Sequence, residues 1–180
     1  MAEEPKEHGS LDELHRMIED IEIAMLTTRR ADGKLVSRPM ATQKPSAGAD
    51  LWFVTGEGYP KLDEIAGDPQ VNLAYYKDRT REWVSVAGRA RISRDRAKIR
   101  ELWAKDWKAY FSDEGGERDG GPDDPRLVLI GVDVELAHYM TVDKPQAVVL
   151  FQLVKGMVTG KAPSIGEMQE VSGAEIRHRS

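Results

Sequence analysis

Residues 23–42 read IAMLTTRRADGKLVSRPMAT. Two strand-like runs, Ile23–Thr28 and Leu35–Thr42, flank a polar segment, Arg30–Lys34, that contains an Asp-Gly pair. Such a pair favours a tight hairpin turn, because glycine adopts positive φ without steric cost. The stretch therefore predicts two neighbouring antiparallel strands.

Strand patterns continue from this hairpin toward the C-terminus. They cover Leu51–Thr55, Val71–Tyr76, Trp83–Ile92 and Leu127–Tyr139. In the third run Val84 and Val86 share one side and Ser85 lies on the other, which is typical of a half-buried strand. The loop Lys44–Asp50 predicts a second hairpin between the strands that it joins. Because most connections are short, we expect a mostly β protein with flanking helices, whose antiparallel sheet closes into a small barrel.

Helical signals lie between and before these strands. A capping box at Ser10–Glu13 predicts a helix over about residues 10–20. Pro60 and Gly67 mark the start and the end of a second helix. Apolar residues at spacings of four, four and three predict a third helix, with an inner stripe of Ile99, Trp103, Trp107 and Tyr110.

The length of 180 residues is that of a single domain. We expect a flexible N-terminus over residues 1–9, one domain over residues 10–155, and a tail over residues 156–180. The tail lacks clear periodicity and is expected to be flexible. Within the domain, residues 111–125 are rich in Gly, Asp and Glu and predict a solvated loop, and Pro145 predicts the start of a last helix.

Composition and charge exclude several classes of function. The net charge of −5 disfavours nucleic-acid binding, and the nine Lys/Arg and three acids of residues 77–100 favour a solvated or dimer-rim surface. Cysteine is absent and the four histidines are dispersed, so we expect no metal site. We expect a cytoplasmic protein with no membrane partner, because the acidic start is not a signal peptide and no apolar run spans a bilayer.

A phosphate site is the most informative chemical signal. If the strand that carries Arg38 pairs with Leu51–Thr55, Arg38 comes near Lys61 at the start of a helix. Arginine offers a forked donor for phosphate, lysine a mobile charge, and the helix N-terminus unpaired amides. The arrangement suits a flat, phosphorylated ligand; the alternative is that both cations are ordinary surface residues.

A succession of motifs resembles one known family. The motifs are Arg38-Pro39-Met40, Leu51–Thr55, Lys61, Asp68–Val71, Val84–Ala90, Asp95-Arg96, Glu101–Trp103 and Asp123–Pro125. Their order and spacing over residues 10–155 are similar to those of the FMN-binding split-barrel superfamily, in the branch of general stress proteins related to pyridoxamine 5′-phosphate oxidase. The resemblance implies a split β-barrel homodimer with FMN at the subunit interface.

The resemblance also implies which residues contact the cofactor. They are Arg38, Pro39, Met40, Ala41, Thr42, Gln43, Val54, Thr55, Lys61, Trp83 and Trp103. Gln43 and Trp83 depart from the oxidases, which commonly carry a lysine and a glutamine at these places. Met140 departs from the Tyr-Trp pair of the stress-protein branch. The C-terminus lacks the Arg-x-His context of the oxidases, so vitamin B6 oxidation is not implied.

The leading hypothesis is an FMN-binding, flavin-dependent oxidoreductase with NADH or NADPH as a candidate donor. The alternative is a non-catalytic flavin-binding protein that stores or senses the cofactor. FAD, a deazaflavin and haem are the alternative cofactors. No side chain is nominated as a catalytic acid or base, because the flavin ring carries the redox chemistry in this family.

Overall fold

One antiparallel sheet organises the part of the chain that the computed structural model describes, residues 11–142 and 166–174. Its strands are β1 (Ile23–Arg29), β2 (Leu35–Ala41), β3 (Leu51–Gly56), β4 (Gln70–Lys77), β5 (Glu82–Ser93), β6 (Leu127–Thr141) and β7 (Glu167–Ser172). The helices are α1 (Leu11–Ile21), α2 (Pro60–Gly67) and α3 (Arg96–Leu102), and a 3₁₀ helix covers Lys105–Ala109. The expected mostly β, antiparallel architecture with flanking helices is confirmed. Within these two ranges, no helix has the length and apolar character needed to cross a membrane.

The predicted first hairpin is confirmed. Strands β1 and β2 pair in register from Ile23 opposite Ala41 to Arg29 opposite Leu35. Gly33 occupies the turn with a φ of 83°, in the left-handed region that glycine reaches without strain. The Asp32 carboxylate accepts a hydrogen bond from the Lys34 backbone N–H at 3.2 Å, which further fixes the turn.

The predicted second hairpin is wrong, because β3 pairs with β6 instead of β2. The strands are hydrogen-bonded in the order β2-β1-β4-β5-β6-β3, and β7 adds to β6. Among the described residues, β2 and β3 meet at one bridge, between Thr42 and Phe53. There the Gln43 N–H donates to the Trp52 carbonyl at 2.8 Å. This bridge joins the two ends of the strand order and closes the barrel.

The core has two parts, which lie on opposite sides of β3 and β6. The main cluster fills the barrel and includes Leu26, Leu73 and Val86, with Leu14 and Ile18 of α1 packed against them. The second cluster contains Trp52, Ile99, Leu102, Trp107, Phe111, Leu127 and Leu129. Residues 127–132 of β6 are buried at every position, because the two clusters cover both faces of this strand.

The third predicted helix is wrong at its C-terminal end. Helix α3 ends at Leu102, and Trp107 lies in the following 3₁₀ helix. Trp103 leaves the helical conformation with a ψ of 135°, and its indole N–H donates to the Gly120 carbonyl at 3.1 Å. Tyr110 is 71% exposed, so it does not continue the buried stripe. Two short elements therefore replace one amphipathic helix.

Strand β7 lies within the stretch for which no regular element was expected. It pairs with β6 from Leu136 opposite Ser172 to Thr141 opposite Glu167. Apolar and polar residues do not alternate along this strand, and Val171 is its one buried side chain. The helix predicted from Pro145 lies outside the described residues, and the division of the chain at residues 9 and 155 stays a prediction.

Candidate functional site

Four elements bring a group of polar side chains together at one end of the barrel. Thr28 comes from β1, Arg38 from β2 and Thr55 from β3, while Lys61 and Glu64 come from α2. We call these five residues the cation cluster. Hydrogen bonds link Arg38 to α2 and Lys61 to β3. Arg38 and Lys61 are close enough for the charge of Arg38 to act on Lys61, although β2 does not pair with β3 as the sequence prediction required.

Arg38 is held in place by a closed triangle of contacts. Its Nη2 donates to Oε2 of Glu64 at 2.7 Å, and its Nη1 donates to Oγ1 of Thr28. The Thr28 hydroxyl in turn donates to the same Glu64 oxygen at 2.6 Å. Burial alone would raise the pKa of Glu64, but the hydrogen bonds from Thr28 and Arg38 outweigh it and hold the pKa below its ordinary value. Glu64 is thus an ionised carboxylate, and its side chain is 9% exposed.

Lys61 differs from Arg38 because it has no carboxylate partner among the described residues. Its Nζ donates to Oγ1 of Thr55 at 2.8 Å and lies 4.3 Å from the centre of the Tyr59 ring. Burial, with the nearby charge of Arg38, lowers the pKa of Lys61. A half-buried ammonium next to a second cation is stabilised by an anion, so this side chain is suited to bind one.

Helix α2 begins at the same place without a side-chain cap. Tyr59 is its N-cap residue and makes no capping hydrogen bond, and Pro60 occupies the first turn. Pro60 has no N–H and the Leu62 N–H donates to the Tyr59 carbonyl at 3.0 Å, so this end contributes mainly the partial positive charge of a helix N-terminus. Together with Lys61, this end of α2 adds to the positive character of the cation cluster.

The two residues that follow β2 are tied into the protein. The hydroxyl groups of Thr42 and Tyr75 are 2.9 Å apart, and burial raises the pKa of Tyr75. Gln43 accepts a hydrogen bond from the Trp107 indole at 2.8 Å and donates to the Ala41 carbonyl at 2.9 Å. The Gln43 side chain therefore anchors the end of β2 to the second core cluster.

The remaining predicted site residues are spread over three places. Met40 is buried in the main core. Val54 and Trp103 pack against the second cluster. Pro39, Ala41 and Trp83 lie on the outside of the sheet.

One part of this outer surface of the sheet is apolar, and the adjoining part carries the polar side chains of Ser85, His138 and Glu170. Pro39 and Ala74 flank Met25, while Trp83 lies between Tyr76 and Met140. Four large side chains on this face are 37–55% exposed; they are Ile23, Met25, Tyr76 and Met168. We call the apolar residues named in this paragraph the outer face.

Sequence reasoning missed Thr28, Tyr59 and Glu64. Glu64 follows Lys61 by three residues on α2, so the helical period places both on one side of the helix. That spacing is visible in the sequence, but the two strands whose side chains donate to Glu64 are not. Within the described ranges, no group of three or more His, Asp or Glu side chains has the geometry of a metal site.

Comparison with known proteins gives consistent likenesses. A family model described as pyridoxamine 5′-phosphate oxidase like matches residues 9–164. The protein bli-3 of Neurospora crassa is 34% identical over 170 residues, which cover 93% of this chain and 81% of that protein.

Solved structures show the same fold. A structure from Jannaschia sp. CCS1 assigned to general stress protein 26 has a TM-score of 0.66 and 25% identity, and the match covers 91% of this chain and 99% of that one. The general stress FMN/FAD binding protein of Xanthomonas citri has a TM-score of 0.58 and 23% identity, with 71% of this chain and 85% of that one covered. The second likeness shows the fold alone.

Proposed function

The chain belongs to the pyridoxamine 5′-phosphate oxidase-like family, with its split β-barrel fold, and from this premise we propose that it binds FMN and acts as a flavin-dependent oxidoreductase. The observation that carries the proposal is Lys61, a half-buried ammonium with no carboxylate partner among the described residues. When bound, the flavin ring supplies the electron-transfer chemistry. The protein supplies the anchor and the orientation.

The cation cluster fits the phosphate group of FMN. Arg38, Lys61 and Glu64 together carry one net positive charge, and the start of α2 adds the partial positive charge of a helix N-terminus. A phosphate monoester is a dianion with several acceptor oxygens, so it would complete the hydrogen bonds of Lys61. Thr55 holds Nζ of Lys61 and thereby fixes the direction from which the phosphate is bound.

The outer face supports a homodimer as part of the same proposal. Exposed methionine and aromatic side chains that form a continuous patch are typical of the centre of a protein interface. Pro39, Ala41 and Trp83, which the family resemblance assigns to the cofactor, lie on this face or at its edge. A second copy packed here would enclose the flavin between the two subunits.

Titration of the purified protein with FMN tests the binding proposal. Wild-type protein should quench flavin fluorescence at a one-to-one ratio of FMN to chain. Lys61→Ala removes a charge-assisted hydrogen bond and should weaken FMN binding about 10- to 100-fold. The control is Lys34→Ala, because this exposed hairpin lysine pairs only with Asp32 among the described residues and should leave FMN affinity unchanged. If wild-type protein does not bind FMN, the proposal is contradicted. The absorption spectrum of the purified protein then distinguishes FAD, a deazaflavin or haem.

A second experiment separates the oxidoreductase from a non-catalytic flavin-binding protein. The FMN complex is mixed with NADH or NADPH in the absence of oxygen, and the visible absorbance of the flavin is followed. Prompt bleaching is the result expected for the oxidoreductase. If neither nicotinamide bleaches the flavin, the storage or sensing function is favoured.

A further inference from the structure

Glu64 is a carboxylate placed inside the candidate phosphate site. It lies one helical turn after Lys61 and accepts hydrogen bonds from Thr28 and Arg38 on the same oxygen. Carboxylate and phosphate oxygens bind an arginine fork in the same way. The protein therefore already supplies one of the anionic groups that Arg38 can hold.

The position of Glu64 gives Arg38 and Lys61 different tasks. The charge of Arg38 is neutralised by Glu64, whereas the charge of Lys61 is not neutralised by any hydrogen-bonded carboxylate in residues 11–142 and 166–174. An incoming phosphate consequently meets Lys61 as the cation with unbalanced charge. Arg38 donates to the phosphate through the N–H groups that Glu64 and Thr28 do not use. The plane of its guanidinium is already fixed by these two residues.

Glu64 stays in place when an anion binds. Its side chain is 9% exposed, and leaving the triangle would bury an ionised carboxylate without partners. Thr28, which is itself buried, would lose its acceptor at the same time. The phosphate is therefore added beside Glu64 and does not displace it.

We propose that Glu64 is a positioning residue that orients Arg38 and limits the affinity of the site for a dianionic phosphate. The inference rests on the proposed FMN function and concerns the regulation of that same site. Each negative charge close to a bound dianion opposes its binding. Glu64 thus keeps cofactor binding weaker than two unopposed cations would make it.

Exchange of Glu64 for glutamine tests this proposal, because glutamine retains an oxygen that accepts from Arg38 and loses the charge. E64Q should bind FMN about tenfold more tightly than wild type, the change expected for one charge removed at short range in a partly solvated site. Riboflavin lacks the phosphate and should bind both proteins equally. Unchanged or weaker FMN binding by E64Q, or an equal gain for riboflavin, overturns the proposal.

Asp63→Asn is the matched control. Asp63 is the preceding residue of the same helix and is exposed, so this variant makes the same change in charge without touching Arg38. Solvent screens the exposed charge, and the FMN affinity of the variant should change much less than that of E64Q. An equal gain in both variants means that Glu64 has no special role.

A double variant tests the same charge effect without the Arg38 guanidinium. Arg38→Met alone leaves the Glu64 carboxylate without its cation and should weaken FMN binding strongly. Arg38→Met combined with E64Q should bind FMN more tightly than Arg38→Met, because the unpaired carboxylate is gone, and less tightly than wild type, because the N–H groups of Arg38 are missing. FMN binding by the double variant that is no tighter than that of Arg38→Met contradicts the proposed division of tasks.

Inorganic phosphate separates failure of this inference from failure of the proposed function. If wild-type protein does not bind FMN, the function fails, and the charge effect is read from thermal unfolding with and without inorganic phosphate. Phosphate should then stabilise E64Q more than wild type, since ligands that bind the native state raise its melting temperature. Equal stabilisation of both proteins rejects the role of Glu64 as well.

Discussion

At the scale of single residues, the charge state of Lys61 controls anion binding. Burial and the nearby Arg38 lower the pKa of Lys61, so its ammonium loses its proton at a lower pH than an exposed lysine does. The protonated form is the one that binds phosphate. FMN affinity should therefore fall as the pH rises through this lowered pKa, below the ordinary lysine value of about 10.4.

Fluorescence titrations between about pH 7 and pH 10 measure this fall, with riboflavin as the ligand that lacks phosphate. Lys61→Arg is the control, because arginine stays charged across this range and should remove the alkaline loss. A loss of FMN affinity that is the same for riboflavin, or that persists in the arginine variant, assigns the titration to another group.

The same scale shows why the sequence predicts only part of the site. Arg38 and Lys61 are recognisable because their residue types suit phosphate and their positions resemble a family motif. Thr28 lies in the same predicted hairpin as Arg38, but Glu64 is 26 residues further along the chain, and only the packing of α2 against β1 and β2 joins it to them. The task of Gln43 was hidden for the same reason, since Trp107 lies 64 residues further along the chain.

At the scale of elements, a bulge shapes the pairing of β5 with β6. The register shifts between Ala87 and Gly88, so that Glu135 of β6 has no direct partner on β5. A Cβ atom on Gly88 would lie 2.5 Å from the Asp133 carbonyl oxygen and 3.0 Å from Cγ1 of Val132. The two backbones approach too closely here for any residue but glycine.

Gly88→Ala should therefore lower the free energy of unfolding by about 1–3 kcal/mol, the usual cost of overpacking. Gly67→Ala at the end of α2 is the control, because a Cβ atom there meets no heavy atom within 4 Å. It should be neutral or slightly stabilising. Urea unfolding followed by circular dichroism compares the two, and equal stability of Gly88→Ala and wild type would show that the bulge adapts.

Local signals explain which elements the sequence predicts. The Asp-Gly turn and the alternation in β5 are short-range patterns, and both appear in the structure. The pairing of β3 with β6 joins residues 71 to 81 positions apart, from Gly56 opposite Leu127 to Leu51 opposite Val132, and no local pattern specifies it. Strand β7 likewise takes its conformation from β6, because its own sequence does not alternate.

At the scale of the whole molecule, the outer face determines whether one chain is sufficient. The predicted dimer buries Met25 and its neighbours against a second copy, and a charge at the centre of such a patch is strongly unfavourable without a partner. Met25→Glu should convert the dimer to a monomer without unfolding the barrel, because the outward side chain of Met25 does not belong to the buried core.

Light scattering at micromolar concentration measures the mass, which should be twice the 20.2 kDa of the chain for wild type and once for Met25→Glu. Tyr110→Glu is the control, because Tyr110 is an exposed aromatic residue away from the outer face and its variant should stay dimeric. FMN affinity should fall with the dimer in Met25→Glu, since the proposed site is completed by the second copy. Full FMN affinity in a monomeric variant would place the whole site within one chain, and a monomeric wild type would remove the dimer from the proposal.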